Sequence, residues 1–195
     1  MKRALGILCV LAVSIGCQPN SSWTGDRLTM TTFQDFNDQP KEGWRQLAVE
    51  GDYDGAADLI SRYIDANQPI LESWQVGTLR FHQGQMLACA DKYRLALQVL
   101  AEAQSANLPT TGPAVLGRYV NATIAFIESD RAAFDKARAA IDAAQRSPAN
   151  EILREKAEIL ARRFDASYLN AWIDAGRVVV PVAGEVDEDL PDSGD

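Results

Sequence analysis

A short apolar series recurs at nearly constant spacing, and it constrains the fold more than any other feature of the chain. Tyr93, Ala96, Leu100 and Ala103 fall on one face of a helix. The same series returns as Phe134, Ala137, Ile141 and Ala144, and upstream as Tyr53, Ala56, Ile60 and Tyr63. From aromatic to aromatic the spacing is 40 and then 41 residues, and Pro69, Pro109 and Pro148 follow the three copies. Self-similarity at a period of a few tens of residues is the mark of stacked helical units. A single pair of helices is too small to bury its own apolar face, so copies stack. The central unit, Ser73 to Gln104, reads as two helices folded back on each other.

Helices are expected at about 40–50, 53–66, 69–88, 91–106, 113–128, 131–146 and 148–164. Asn107 to Pro113 (NLPTTGP) reads as a loop. Ser147 before Pro148 reads as a helix cap followed by a first-turn proline. Phe164, Tyr168, Leu169, Trp172 and Ile173 continue an apolar face and are expected to close the array as a C-terminal capping helix.

The pattern resembles the tetratricopeptide repeat (TPR). In that family the second helix opens with Gly-x-Tyr-x-x-Ala. Gly51, Tyr53 and Ala56 match it, and Asp91, Tyr93 and Ala96 keep it without the glycine. Gly84 and Leu87 fall where the family places a small and a large residue on the first helix. The resemblance spans roughly Pro40 to Pro148, with a period longer than the family's usual ~34 residues. It implies an all-α fold, a TPR-like antiparallel helix-hairpin solenoid, whose first helices line a concave groove able to hold an extended peptide or a partner's helix.

The N-terminus has Lys2 and Arg3, an apolar run from Ala4 to Ile15, then Gly16 and Cys17. About a dozen apolar residues fall short of the ~20 needed to cross a bilayer, so residues 1–16 read as a secretory leader. Ser14-Ile15-Gly16-Cys17 resembles the lipobox of bacterial lipoproteins. That resemblance implies cleavage before Cys17, a diacylglycerol on its thiol, and two or three acyl chains holding the protein to the membrane. Gln18, rather than aspartate, after the cysteine implies the outer membrane, facing the periplasm. Cys89 is then the one thiol left unmodified, and it is expected to pack as a small apolar side chain.

Residues 17–38, rich in Ser, Thr, Asn and Gln, are expected to form a flexible tether reaching ~25 Å from the bilayer. Trp23, Phe33 and Phe36 are unusual in a linker, and leave two expectations for themselves: docking on the first repeat, or resting at the lipid interface. The helical domain is expected over residues 39–176. Residues 177–195 are expected to run extended through Val178–Val182 and then as an acidic disordered tail.

The formal net charge is −8, and it falls to about −10 once Lys2 and Arg3 are removed. Such a balance argues against a nucleic-acid partner. Arg154, Lys156, Arg162 and Arg163 are interspersed with Glu151, Glu155 and Glu158, so this basic cluster reads as a solvated face. Catalysis needs a constellation of groups. His82 and Cys89 stand about two helical turns apart, roughly 10.5 Å along the axis, too far for a nucleophile and its base. No zinc-type spacing and no phosphate loop is present. The reading is therefore a non-enzyme with no cofactor and no metal.

The candidate site is a polar stripe. Gln75, Thr78, His82 and Gln85 share one face of the central helix, with Phe81 as their support, and Arg118 and Asn121 occupy a similar polar face on the next first helix. These residues are expected to be wet and to line the groove. The leading expectation for function is an envelope lipoprotein acting as an adaptor or assembly factor for envelope proteins or their peptide segments. The alternative is a lipoprotein that binds a small ligand or a peptidoglycan fragment.

Overall fold

The computed structural model describes residues 23–39, 42–106 and 115–176. Among these residues the fold is all-α, without strands. The helices are α1 (Gly25–Met30), α2 (Phe33–Asp38), α3 (Gly43–Val49), α4 (Tyr53–Asn67), α5 (Ser73–Cys89), α6 (Tyr93–Ser105), α7 (Leu116–Ile127), α8 (Arg131–Asp142), α9 (Pro148–Arg162) and α10 (Tyr168–Gly176). The expected leader, Cys17, the expected loop from Asn107 to Pro113 and the expected C-terminal tail fall outside the described residues.

One turn is used three times. After α3, the Gly51 N–H donates to Ala48 O and the Asp52 N–H to Leu47 O; after α5, Asp91 donates to Ala88 O and Lys92 to Leu87 O; after α7, Ser129 donates to Phe126 O and Asp130 to Ala125 O. This paired bonding is the Schellman motif, which satisfies the last carbonyls of a helix and places one residue in the left-handed region. That residue is Gly51 (φ 82°), Asp91 (φ 58°) and Ser129 (φ 57°) in turn. In the first and third turns the next residue caps the following helix. Asp52 accepts from the Gly55 N–H at 2.9 Å, and Asp130 from the Ala133 N–H at 2.9 Å.

The turns recur at 40 and then 38 residues, not 40 and 41. The third copy of the apolar series is therefore three residues out of register with the backbone. Phe134 stands where Ala56 and Ala96 stand, and Arg131 takes the place of Tyr53 and Tyr93. A shift of three residues nearly preserves a helical face, so apolar periodicity cannot tell the two registers apart, whereas the turn can.

Of the small residues of the pattern, Ala56 and Ala96 are fully buried and Ala137 is buried. A Cβ on Gly84 would lie 2.6 Å from Leu100 Cγ and 3.3 Å from Ala96 O, so α5 meets α6 with no room for a side chain. Buried residues occur on every side of α5. Such a helix must be central, and α5 feeds both hydrophobic clusters: Leu79 and Met86 enter the N-terminal one, and Phe81, Ala88 and Cys89 the C-terminal one.

Two expectations are corrected. The helical fold includes residues before 39. Residues 23–38 are not a tether but two short helices laid on α4, with Trp23, Leu28 and Phe36 buried. The Tyr63 hydroxyl donates to Thr31 O at 2.9 Å and Asn67 Nδ2 to Leu28 O at 3.1 Å, which ties α1 and the residue after it to α4. Each helix is six residues long, too short to display a period, and the aromatic side chains supply the burial instead. Of the two expectations for Trp23 and Phe36, docking is what occurs.

The second correction concerns α10. It does not merely cap the last unit. It packs on α9 and also returns to α5, where Gln85 Nε2 donates to the Tyr168 hydroxyl at 3.0 Å. Trp172 meets Tyr53 edge-on at 6.1 Å.

Candidate functional site

α3, α5, α7, α9 and α10 converge on a pocket of about 350 Å³. Trp44 and Arg45 come from α3, His82 and Gln85 from α5, Tyr119 from α7, Lys156 from α9 and Trp172 from α10. Its walls are aromatic and aliphatic, and its polar groups are few, which is the usual make-up of a ligand cleft.

The structure brings together only part of the expected stripe. Phe81, His82 and Gln85 line this pocket. Phe81 is buried edge-on against Tyr119, with ring centroids 5.8 Å apart. Gln85 is 7 % exposed rather than wet, because α10 covers it and Tyr168 takes its amide hydrogen. Gln75 and Thr78 are spent on their own helix. Gln75 Oε1 accepts from the Glu72 N–H at 2.8 Å, and Thr78 Oγ1 donates to Trp74 O at 2.9 Å.

Arg118 and Asn121 are elsewhere. They line a separate pocket of about 360 Å³ between α6, α7 and α8. Gln104 Nε2 donates to Asn121 Oδ1 at 2.8 Å, and Arg118 Nη1 donates to Ala140 O at 2.5 Å. The face of α7 that looks into the His82 pocket carries Leu116 and Tyr119. It is apolar, so matching polar faces between helices selected the wrong side.

His82 lies with its ring over Trp44, centroids 4.9 Å apart and planes 26° apart. Its Nδ1 stands 3.3 Å from Gln85 Oε1. Gln85 gives its NH₂ to Tyr168, so it presents an oxygen to His82, and Nδ1 carries the hydrogen. Nε2 is then the acceptor. Burial, reinforced by the Arg45 charge, lowers the His82 pKa to about 3, so the ring is neutral at physiological pH.

The charges in the pocket are cations. Burial also lowers the pKa of Lys156, with Arg45 adding to the effect, and burial lowers that of Arg45 against the opposing pull of Asp38. Arg45 Nε donates to Asn37 O at 2.6 Å, and its guanidinium stacks over Trp44 at 4.3 Å. Among the described residues, Lys156 has no hydrogen-bond or ion-pair partner, and no Asp or Glu lines the pocket. Trp44 is 3 % exposed, yet its indole N–H has no acceptor among the described residues.

Sequence reasoning missed Arg45, Trp44 and Lys156. Lys156 belongs to the basic cluster read as a solvated face. Its neighbours there do pair: Arg154 with Glu151 at 2.7 Å, Arg162 with Glu158 at 3.7 Å, and Arg163 with Asp174 at 2.8 Å. Lys156 instead lies between Leu153 and Leu160 at helical spacing, on the side of α9 that faces inward. That spacing was the available signal.

A third pocket, about 540 Å³, lies between Tyr93, Phe126, Arg131 and Phe164. Its arginine is already engaged, paired with Asp135 at 3.0 Å and stacked over Phe164 at 5.1 Å. Cys89 is buried and its thiol is pushed up to about 12, which makes it a packing group rather than a nucleophile. Among the described residues, no group of three or more His, Cys, Asp or Glu could hold a metal ion, and no helix is long and apolar enough to cross a membrane. Comparison with protein-family models, curated proteins and solved structures returned no match.

Proposed function

We propose that this chain is a TPR-like adaptor, held to a bacterial envelope membrane through lipid on Cys17, that receives a protein partner on the face built by α3, α5, α7 and α9. The observation that supports the array is the thrice-used Schellman turn, which joins α3 to α4, α5 to α6 and α7 to α8 with the same hydrogen bonds. Identical turns between similar helices give each pair a similar geometry, and a stack of such pairs presents its first helices side by side. Support for the anchor comes from the leader and the Ser14-Ile15-Gly16-Cys17 sequence. The outer membrane facing the periplasm is the proposed location.

Affinity capture of the full chain from detergent-solubilised envelope tests the adaptor. Val49 is 79 % exposed and lies at the mouth of the α3–α5 pocket. One protein recovered at stoichiometric level, and lost with Val49→Glu, is the expected result. Recovery of no partner, or of one indifferent to Val49→Glu, sinks the reading. Cys17→Ala should abolish palmitate labelling and membrane retention; unchanged fractionation sinks the anchor.

A second reading, a binder of small ligands such as peptidoglycan fragments, is favoured by one observation. The pocket beside His82 has the size and mixed lining of a ligand cleft rather than of a flat protein contact.

A further inference from the structure

We propose that the pocket between Trp44 and Lys156 binds a small organic anion, its charged oxygens held by Arg45 and Lys156 and its apolar body packed against Tyr119 and Trp172. The proposal rests on the small-ligand reading and adds the chemistry of the ligand to it.

Two half-buried cations carry the argument. Among the described residues the Lys156 ammonium has no hydrogen-bond or ion-pair partner, and the Arg45 guanidinium has one carbonyl bond, an aromatic stack and the pull of Asp38 but no direct ion pair. A charge withdrawn from water and left unpaired is costly. Protein surfaces of net charge −8 have carboxylates to spare, and ion pairs decorate the rest of this molecule, on α8 and α9 above all. Yet none lines this pocket. An anion with two or three oxygens satisfies the guanidinium and the ammonium at once, through charge-assisted hydrogen bonds.

The remaining lining restricts the class further. The aromatic walls favour a flat or apolar body over a bare inorganic ion. Neutral His82 presents Nε2 as an acceptor, so it adds no positive charge and can receive a hydrogen bond from a hydroxyl or amide beside the anionic group. Carboxylate and phosphate share the recognition chemistry, and the donors accept either.

The test uses the detergent-solubilised full chain and three probes of similar shape: 2-naphthoate, 2-naphthyl phosphate and the neutral 2-naphthamide. Trp44 and Trp172 report binding by fluorescence, and calorimetry gives the affinity. Both anions are expected to bind at least ten-fold more tightly than the amide, and the tighter of the two identifies the natural head group. Lys156→Gln should bring the anions down to the affinity of the amide, whereas Lys156→Arg should keep most of the preference. The affinity of the amide in each variant shows that the pocket is still formed. Equal binding of acid and amide, or an anion preference unmoved by Lys156→Gln, overturns the charge assignment and leaves the small-ligand reading standing. Binding of none of the three overturns both.

Discussion

The two hydrophobic clusters meet on α5 but are closed in different ways. The N-terminal cluster is closed by α1 and α2, which belong to no repeat. Trp23 abuts Phe36 edge-on at 5.6 Å, and Phe36 stacks flat on Tyr63 at 3.8 Å and 7°. The C-terminal cluster is closed by α10 and the turn before it. Phe126 meets Phe134, Phe164 and Tyr168 edge-on at 6.3, 5.4 and 5.8 Å. A stack of helix pairs leaves an apolar face at each end, and something must cover it. At one end the cover is an aromatic wedge from irregular sequence; at the other it is an amphipathic helix that follows the paired helices. The second kind advertises itself by periodicity, and the first does not.

The wedge carries the largest expected effect. Phe36 is 1 % exposed, and Phe36→Ala removes a ring from between Trp23 and Tyr63. The cost should be ~3–5 kcal/mol, read from urea denaturation. A change below ~0.5 kcal/mol, as for a surface substitution, would mean that α1 and α2 are not part of the core. Because α5 serves both clusters, the loss should appear in one transition, with tryptophan fluorescence and far-UV circular dichroism coincident.

The contact between α5 and α6 comes next. Gly84→Ala places a methyl group against Leu100, which is itself fully buried. Overpacking of this kind costs ~1–3 kcal/mol. Ala has the better helix propensity by about 1 kcal/mol, so a stabilised Gly84→Ala variant would show that the two helices stand further apart than described.

The difference between the two closures also explains what could be read in the chain. Seven helices from residue 40 to residue 164 follow from apolar spacing and from end signals such as Ser147 before Pro148, whose hydroxyl does accept from the Asn150 N–H at 3.2 Å. The helices at 25–38 did not follow, because six residues hold fewer than two turns and no period can be measured over them. The register of the third pair was misplaced because Phe134 and Arg131 share a helical face with what they replace. Of the expected stripe and its support, only Phe81, His82 and Gln85 line the pocket beside Trp44. Arg45 and Lys156 do not stand out in the sequence, since a lone cation on a helix carries no sign of what the neighbouring helices place around it. Gln85 reads as a wet residue in the sequence because nothing in its own helix reveals that α10 folds back over it.

Where the clusters meet, a pH effect is expected. His82 has its pKa lowered to about 3 in the folded protein, against ~6.5 when unfolded. The unfolded chain therefore binds the proton first. Stability is fully present above pH ~6.5 and is lost as the pH falls from there toward 3. At pH 5.5 the loss should be about 1.4 kcal/mol. His82 is the chain's one histidine, and the part of a decline between pH 7.5 and 5.5 that belongs to it should vanish in His82→Gln. A flat curve over that range in the wild-type chain would mean that the ring is solvated, and the boundary between the clusters open.

The smallest effect has the opposite sign and tests the repeat itself. The three Schellman turns place Gly51, Asp91 and Ser129 in the same left-handed conformation. For a residue with a Cβ that conformation costs ~1–2 kcal/mol, and glycine adopts it freely. Glycine also loses more backbone freedom on folding, which offsets part of the gain. Ser129→Gly should therefore stabilise the protein by ~0.5–1 kcal/mol. Asp91→Gly should gain less, because Asp91 Oδ1 accepts a hydrogen bond from the Tyr93 hydroxyl at 3.0 Å, and glycine loses it. Gly51→Ala should lose about as much as Ser129→Gly gains. This ordering follows only if one backbone turn serves all three pairs. Urea midpoints of the three variants decide it: a destabilised Ser129→Gly would show that the third pair is joined differently from the other two, which counts against the proposed three-unit array.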